Sequence, residues 1–260
     1  MSAGDPRERD ERSRVAGAGD PDGFAGGDGE LPRGIDALSR LAPPAAPPMS
    51  PALEAELGKL APVAPRRPRR QLALLVGVSL VYGAGLLVML TVRGDLHELP
   101  MGWLMMTSLA WLLGFVVPVA LATIPRPGSM LPRWRLAGIA SAVAAVAMVS
   151  LGLVLHPAGA HSYELGWAGV THGYGCLANG LETSIVPVVI GSICLRRTLP
   201  VGSRWVAAGL GAGGGSLGGL VLHLHCPVAD GLHVGLIHGG VIAIAALLAA
   251  VLVPRVTEIR

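Results

Sequence analysis

The chain has 260 residues, of which 52% are hydrophobic and 4% aromatic, and its formal net charge at pH 7 is +3. The apolar residues form long blocks almost free of charge, which excludes an ordinary soluble domain and indicates membrane spans. The 37 glycines agree with this, because glycine is commoner in transmembrane helices than in soluble ones. Arginines beside the spans account for the positive charge, so direct binding of nucleic acid is not predicted.

Residues 1–70 are predicted to be a largely disordered tail. Stretches such as AGAGDPDGFAGGDGE and LAPPAAPPMSP are rich in Gly, Pro and Asp and contain little that could build a core. The tail also lacks an apolar segment that could act as a signal peptide. We therefore expect the folded part of the protein to begin after it.

A short amphipathic helix is predicted within this tail, at about residues 50–65. Ser50 can cap its start, since a serine hydroxyl accepts a hydrogen bond from the backbone of the first turn. Leu53, Leu57 and Leu60 follow at i, i+4 and i+7 and therefore share one face. A helix this short is marginal alone, because roughly 12–15 residues are needed even for good helix formers. The segment is either a nascent helix or one that folds when its leucine face enters a partner's groove.

Six apolar blocks follow the basic run PRRPRR, and they predict an all-α membrane protein, a bundle of six transmembrane helices at residues 71–254. Each block has about 20 residues, enough to cross about 30 Å of hydrocarbon at 1.5 Å per residue. Residues 255–260 form a short C-terminus after the last block. The spans are placed near residues 72–92, 101–124, 136–156, 175–195, 205–224 and 234–253.

The arginines predict the orientation of this bundle. Arg93 is the single arginine on one side of the membrane, and twelve lie on the other. Because Lys and Arg concentrate in cytoplasmic loops, both termini are predicted to be cytoplasmic. The basic run before the first span is expected to contact anionic membrane lipid. The twelve are Arg66, Arg67, Arg69, Arg70, Arg126, Arg133, Arg135, Arg196, Arg197, Arg204, Arg255 and Arg260.

All eight histidines face outward on this topology, and they are densest in HLHCPVADGLHVGLIHGG, residues 223–240. In one interpretation, His225, Cys226, His233 and His238 bind a soft transition metal, because thiolate and imidazole suit zinc or copper. In another, the histidines only tolerate the membrane interface, with an apolar ring and a polar tip. The sequence leaves both open.

Two cysteines support a third interpretation, which is redox chemistry. Cys176 and Cys226 both lie toward the outer side, on different hairpins, whereas Cys194 lies at the inner end of its span. In an oxidising compartment two such thiols can pair, and a disulfide there would persist. It would tie span four to span five, with the histidines setting the reactivity of the thiols. Cys176 and Cys226 are therefore candidate signal-sensing residues.

Two further features concern the interior of the bundle. Span five contains GLGAGGGSLGG, and such small residues let membrane helices approach closely. Glu182 is the one acid placed inside a span, and an intramembrane acid is a candidate functional residue. The alternative is that Glu182 packs against a polar neighbour such as His223 or Asn179.

Spans four to six resemble the NrsF family of bacterial membrane anti-sigma factors. The similarity lies in YGCLANGLETSIVPVVIGSICLRRTLP and in GAGGGSLGGLVLHLHCPVADGLHVGLIHGG, and the resemblance covers about residues 52–254. The Trp that often precedes the last HG of the family is Ile237 here, and Glu182 has no place in the family pattern. The family's motif residues fall on Cys176, Gly180, Pro187, His225, Cys226, Pro227, Asp230, His238 and Gly239.

The resemblance implies a negative regulator of an extracytoplasmic-function sigma factor in the bacterial inner membrane, and not an enzyme. The cytoplasmic segment at about 50–65 would hold the sigma factor at the membrane, away from RNA polymerase. A signal acting on the outward cysteines, oxidative or metallic, would release it. No cofactor is expected beyond a soft transition metal at the outward cluster.

Other classes of membrane protein require features that are scarce here. A small transporter needs polar groups along a pathway at the midplane, where only Glu182, Asn179 and scattered Ser and Thr could serve. A haem or quinone oxidoreductase needs paired histidines deep in the spans, whereas these histidines cluster at one surface. These classes remain the alternatives to the anti-sigma interpretation.

The arginine distribution yields a prediction of topology. Reporter fusions after Arg70, Arg133, Arg204 and Arg260 are expected to read as cytoplasmic, because these sites follow the basic loops. Fusions within 157–172 or 226–232 are expected to read as external. A single reversed loop would overturn the side assigned to the histidines.

Overall fold

The structure, a computed structural model, describes residues 50–59, 67–125, 128–155, 157, 167–196 and 203–257. The chain divides into two compact units, Met1–Ala64 and Pro65–Arg260. The disorder predicted for residues 1–49 concerns a part of the chain outside the described residues.

The described part of the first unit is one short helix, α1, at Pro51–Gly58. Ser50 caps it as predicted, because its hydroxyl accepts a hydrogen bond from the backbone N–H of Leu53 at 3.3 Å. No residue of α1 is buried, and Leu53 and Leu57 are 51% and 47% exposed. Leu60 and the remainder of the predicted segment lie outside the described residues. The described helix thus presents two leucines without a core around them.

Six long helices form the described part of the second unit, and each is long and apolar enough to cross a membrane. The predicted all-α bundle of six spans is confirmed, although the helices extend beyond the predicted spans at several ends. The first begins at Pro68 and not near 72, because proline suits the first turn of a helix and the arginines after it can continue the helix outside the hydrocarbon. The six are α2 (Pro68–Leu90), α3 (Met101–Thr123), α4 (Arg133–Val154), α5 (Trp167–Leu195), α6 (Ser203–His225) and α7 (Gly239–Thr257), and a π-helical turn at His233–His238 leads directly into α7.

The glycine-rich helix α6 lies at the centre of this unit. In its apolar stretch of 18 residues, 89% of the residues are buried, whereas in the corresponding stretches of the other five spans the share is 39% or less. It contacts all five other long helices. Large side chains fill the space around it, and a core cluster joins Leu75, Phe115, Val119, Leu210 and Leu217. The other helices therefore pack around α6 and turn most of their apolar surface outward, as lipid requires.

Glycines allow the neighbouring helices to approach the backbone of α6. A Cβ atom added at Gly211 would overlap the backbone carbonyl of Ala245 in α7. A Cβ atom added at Gly218 would overlap the backbone carbonyl of Gly180 in α5. Because both obstacles are backbone atoms, no change of rotamer can relieve the overlap. The glycine run thus serves the close helix packing that the sequence pattern predicted.

We predict that Gly211→Val lowers the stability of the membrane domain strongly, because α6 and α7 would have to separate. Overpacking a core typically lowers the free energy of unfolding by about 1–3 kcal/mol. Because the obstacle here is backbone, we expect Gly211→Val to reach or exceed the upper end of that range. The control is Gly77→Val on α2, where nothing lies within 4 Å of an added Cβ atom. Thermal unfolding of both variants in detergent measures the difference, and equal midpoints would contradict the packing described for α6.

Candidate functional site

Four potential metal-binding side chains converge at the junction between α6 and α7. Cys176 comes from the first turns of the membrane part of α5, and Cys226 directly follows the end of α6. His233 and His238 are the first and last residues of the π-helical turn. One ligand atom from each of the four lies within 4.8 Å of those from the other three, and all four side chains are buried. We refer to these four residues as the Cys₂His₂ cluster.

The π-helical turn is what brings the two histidines together. In an α-helix, residues five apart are offset by about 140° around the axis, because each residue turns about 100°. In a π-helix the backbone hydrogen bonds connect residues five apart, so His233 and His238 lie one turn above each other. Their rings meet edge to face, with centroids 4.9 Å apart and planes at 78°.

Asp230 fixes the start of this turn. Its carboxylate oxygens accept hydrogen bonds from the backbone N–H groups of Leu232, at 3.1 Å, and His233, at 3.2 Å. Its backbone carbonyl accepts a further bond from Val234 at 2.9 Å. Aspartate is among the preferred residues at a helix start for this reason. Asp230 therefore positions His233 and is not itself a member of the cluster.

Two glycines let the π-helical turn lie directly against α4. A Cβ atom added at Gly152 of α4 would lie 2.6 Å from the Cα atom of Gly235. One added at Gly235 would lie 2.9 Å from the backbone carbonyl of Val149. This close contact holds the irregular backbone inside protein, where its polar groups are shielded from lipid.

The two thiols of the cluster are neighbours. Both cysteines are free, and the Sγ of Cys176 donates a hydrogen bond to the Sγ of Cys226 at 3.5 Å. That hydrogen bond lowers the pKa of the Cys226 thiol from its ordinary value. The Sγ of Cys226 also lies 3.5 Å from Nε2 of His233. The Sγ of Cys226 therefore has a thiol on one side and an imidazole on the other, and both can stabilise the thiolate, which is the reactive form.

Three ring nitrogens of His233 and His238 have no hydrogen-bond partner among the described residues. Nδ1 of His233 and both ring nitrogens of His238 are buried without a partner among the described residues. Each of these two side chains is 1% exposed. Buried polar groups normally have a partner, because leaving one without a hydrogen bond costs roughly 1–3 kcal/mol. These nitrogens therefore need an explanation that the surrounding side chains do not supply.

The other histidines of this region have different surroundings. His225 lies outside the cluster, and its Nδ1 donates a hydrogen bond to the carbonyl oxygen of Thr91 at 2.7 Å. His223 is buried against α3, where Nε2 shares a hydrogen bond with Thr107 at 2.7 Å and the ring contacts Trp103. Of the four metal-ligand candidates named from the sequence, the structure brings three together and adds Cys176 in place of His225.

Glu182 is exposed on α5, and among the described residues its side chain has no hydrogen bond to His223 or Asn179, the two neighbours considered for it; His223 is bonded to Thr107. Its backbone carbonyl accepts a weak hydrogen bond from Tyr82 at 3.5 Å. The side chain lines a groove of about 730 Å³ between α5 and α7, most of whose other lining residues are apolar.

Sequence reasoning missed the role of Arg93. Its side chain is buried, and it donates hydrogen bonds to the backbone carbonyls of Pro227 at 3.0 Å and His223 at 3.5 Å, just past and within the last turn of α6. It also forms a two-pronged pair with Asp95, at 2.7 Å for each bond, which holds the pKa of that carboxyl below its usual range. Arg93 thus caps the C-terminus of α6 and holds the segment that begins with Cys226. The signal available in the sequence was that Arg93 is the one arginine on its side of the bundle.

Fold and site together define the class: a six-span helical membrane protein with a buried cluster of two thiols and two imidazoles where its last two spans join. A scan of protein families matches residues 58–258 to NrsF, described as "Negative regulator of sigma F". The match covers more than half of the chain, and the chain belongs to the NrsF family. This is a family of regulators and not of enzymes, and its description implies a sigma factor as partner. Searches among curated proteins and among solved structures found no match.

Proposed function

We propose that this protein is a membrane anti-sigma factor. It sequesters an extracytoplasmic-function sigma factor at the bacterial inner membrane and releases it on a signal received at Cys176 and Cys226. Membership of the NrsF family supports the regulatory part. The observation that carries the sequestration is α1, which leaves Leu53 and Leu57 half exposed on a helix with no buried residue.

Helix α1 has the chemistry of a partner-binding segment. Burying a leucine side chain contributes about 1.5–3 kcal/mol, so Leu53, Leu57 and Leu60 together offer a substantial gross gain. Ordering the segment on binding takes back several kcal/mol of that gain. The exposed ion pair between Lys59 and Glu56, at 2.6 Å, adds little to the stability of the free helix. The resulting complex is of moderate affinity, which suits a partner that has to be released.

The cytoplasmic position of this segment is part of the proposal. The arginine distribution supports it, and Arg67, Arg69 and Arg70 are exposed at the start of α2. There they are suited to contact the anionic lipids of the inner leaflet. A sigma factor bound to residues 50–65 would then be kept next to the membrane. The same orientation puts the Cys₂His₂ cluster toward the outer face.

The signal is proposed to act through the two thiols because they join separate parts of the bundle. Cys176 is on α5, and Cys226 stands between α6 and the π-helical turn. A chemical change that alters the 3.5 Å contact between their sulfur atoms therefore acts on three helices at once. Both thiols are buried, so a small oxidant or a metal ion fits this site better than a large ligand does.

A small transporter is the second candidate function, and one observation favours it. Glu182 is exposed beside the groove between α5 and α7, although charged residues are costly at the middle of a membrane. The groove lining is otherwise mostly apolar, which suits lipid better than a polar substrate. Capture of a sigma factor separates the two functions, because a transporter has no reason to bind one.

We predict that Leu57→Asp prevents capture of the sigma factor and leaves its target genes switched on. Losing the burial of one leucine weakens the complex about 10- to 100-fold, and the added charge weakens it further. The measurement is affinity purification of the full-length protein from its host, with mass spectrometry for sigma factors and a reporter for the target genes. The control is Ala55→Asp, which adds the same charge on the opposite face of α1.

A second purification uses the peptide of residues 1–70. If the full chain captures the sigma factor and the peptide does not, the inner loops near Arg133 and Arg196 share the binding site. Capture of no sigma factor by either bait would remove the proposed function and favour the transporter.

We predict that Cys176→Ser and Cys226→Ser each abolish the response of the target genes to the inducing stress, because either change removes the contact between two thiols. Repression without stress is expected to persist, since α1 is untouched. The matched control is Cys194→Ser, about 27 Å farther along α5 by helix rise. A reporter assay with oxidants and metal salts, together with immunoblots of membrane levels, measures the effect. Parent-like responses of both variants to every stress would show that the thiols do not sense.

A further inference from the structure

We propose that Cys176, Cys226, His233 and His238 form a four-coordinate site for one divalent metal ion of the zinc type. The ligand atoms are the two Sγ atoms, Nε2 of His233 and one ring nitrogen of His238. Only the use of this site as a signal input rests on the proposed function. The binding itself is a property of the membrane domain.

The distances within the cluster suit tetrahedral zinc. With Zn–S bonds of about 2.3 Å and Zn–N bonds of about 2.0–2.1 Å, neighbouring ligand atoms lie about 3.3–3.8 Å apart. The Sγ atoms of Cys176 and Cys226 are 3.5 Å apart, and the Sγ of Cys226 is 3.5 Å from Nε2 of His233. The widest separation in the cluster is 4.8 Å, so a shift of about 1 Å completes the tetrahedron.

The unpartnered imidazole nitrogens are an independent sign of a ligand. Within the part of the chain that the structure describes, both ring nitrogens of His238 are buried without a hydrogen bond, and so is Nδ1 of His233. A metal bound to one nitrogen of His238 would give that buried nitrogen the partner that the protein side chains do not offer, whereas in His233 the ligand atom is Nε2 and not the unpartnered Nδ1. His225, which donates to a backbone carbonyl, and His223, which is bonded to Thr107, need no such partner.

The charges also balance in this buried place. A divalent cation, two thiolates and two neutral imidazoles sum to zero, so binding places no net charge among apolar neighbours. The cluster lies against Leu222 and Val241, which exclude water from it. Binding releases the two thiol protons to solvent and involves no oxidation or reduction.

The donor set selects the metal. Two sulfur and two nitrogen donors in a tetrahedral arrangement favour zinc and its softer analogues, whereas magnesium and calcium require oxygen ligands. The carboxylate of Asp230, three residues before His233, is engaged with backbone N–H groups of the π-helical turn. A bound ion would tie α5 to the junction of α6 and α7, and its gain or loss would change how firmly these helices are held together.

The test is a titration of the full-length protein, purified in detergent, reduced and treated with a chelator, with Co²⁺ as the spectroscopic probe. We expect one equivalent to bind with thiolate-to-cobalt charge-transfer absorption and the visible bands of a tetrahedral ion, and Zn²⁺ to displace it. Cys176→Ser and Cys226→Ser should each reduce the charge-transfer band by about half, as one of two thiolates is lost. His233→Asn and His238→Asn should weaken binding more than about 100-fold, because loss of an outer-shell partner alone costs 10–100-fold.

The matched control is His225→Ala, which removes a neighbouring imidazole outside the cluster and should leave both the spectrum and the affinity unchanged. Circular dichroism of each metal-free variant shows that it is folded. Failure of the folded, reduced parent to bind stoichiometric Co²⁺ or Zn²⁺ would overturn the site, and so would a spectrum that none of the four substitutions alters.

The outcome is independent of sigma-factor capture. If the metal site fails and capture succeeds, the cluster is a thiol pair of the proposed anti-sigma factor. If the metal binds and no sigma factor is captured, the site stands and the proposed function falls.

Discussion

The packing of every helix in the membrane domain depends on the close approach of backbones to α6. In lipid, apolar side chains gain little by leaving one apolar surface for another, so tight backbone packing has to supply much of the association. Gly211, Gly218 and Gly219 face Ala245, Gly180 and Trp111 at distances that leave no room for a side chain. A helix that lacks large side chains on several faces can touch all five of its neighbours, and this is why α6 is the most buried of the described spans.

The site follows from this arrangement. Because α6 is held on all sides, the chain leaving its C-terminus emerges at a fixed place, where Arg93 caps the last turn and Asp230 starts the next helix. The π-helical turn then packs its Gly235 against Gly152 of α4 and turns two histidines toward the thiols. Thiol chemistry at this point acts directly on the contact between α5 and the α6–α7 junction. In the proposed function, a chemical signal at the thiols would reach α5, α6 and α7 together.

The proposed capture of a sigma factor and the proposed binding of a metal ion by the cluster are separable. The regulatory role follows from the family, and the contact proposed for it is the exposed helix α1, whereas the cluster belongs to the membrane domain. The thiols are common to both proposals. A bound ion would protect them from oxidation, and oxidation would prevent the ion from binding, so the two kinds of signal would compete for the same sulfur atoms.

The sequence by itself determined the six spans, the N-terminal cap of α1 and the glycine-rich helix, because these depend on composition and on spacing along a single helix. It identified Cys226, His233 and His238 as a group because they are close along the chain. It could not place Cys176 in the cluster or exclude His225, since these depend on how α5 packs against the α6–α7 junction. It also could not show that His233 and His238 share a face. Residues five apart lie on different faces of an α-helix, and they lie on the same face only in a π-helical turn. The burial of Arg93 likewise came from a contact with the end of α6, about 130 residues along the chain. Tertiary packing decided these points because each joins residues whose distance along the chain carries no information about their distance in space.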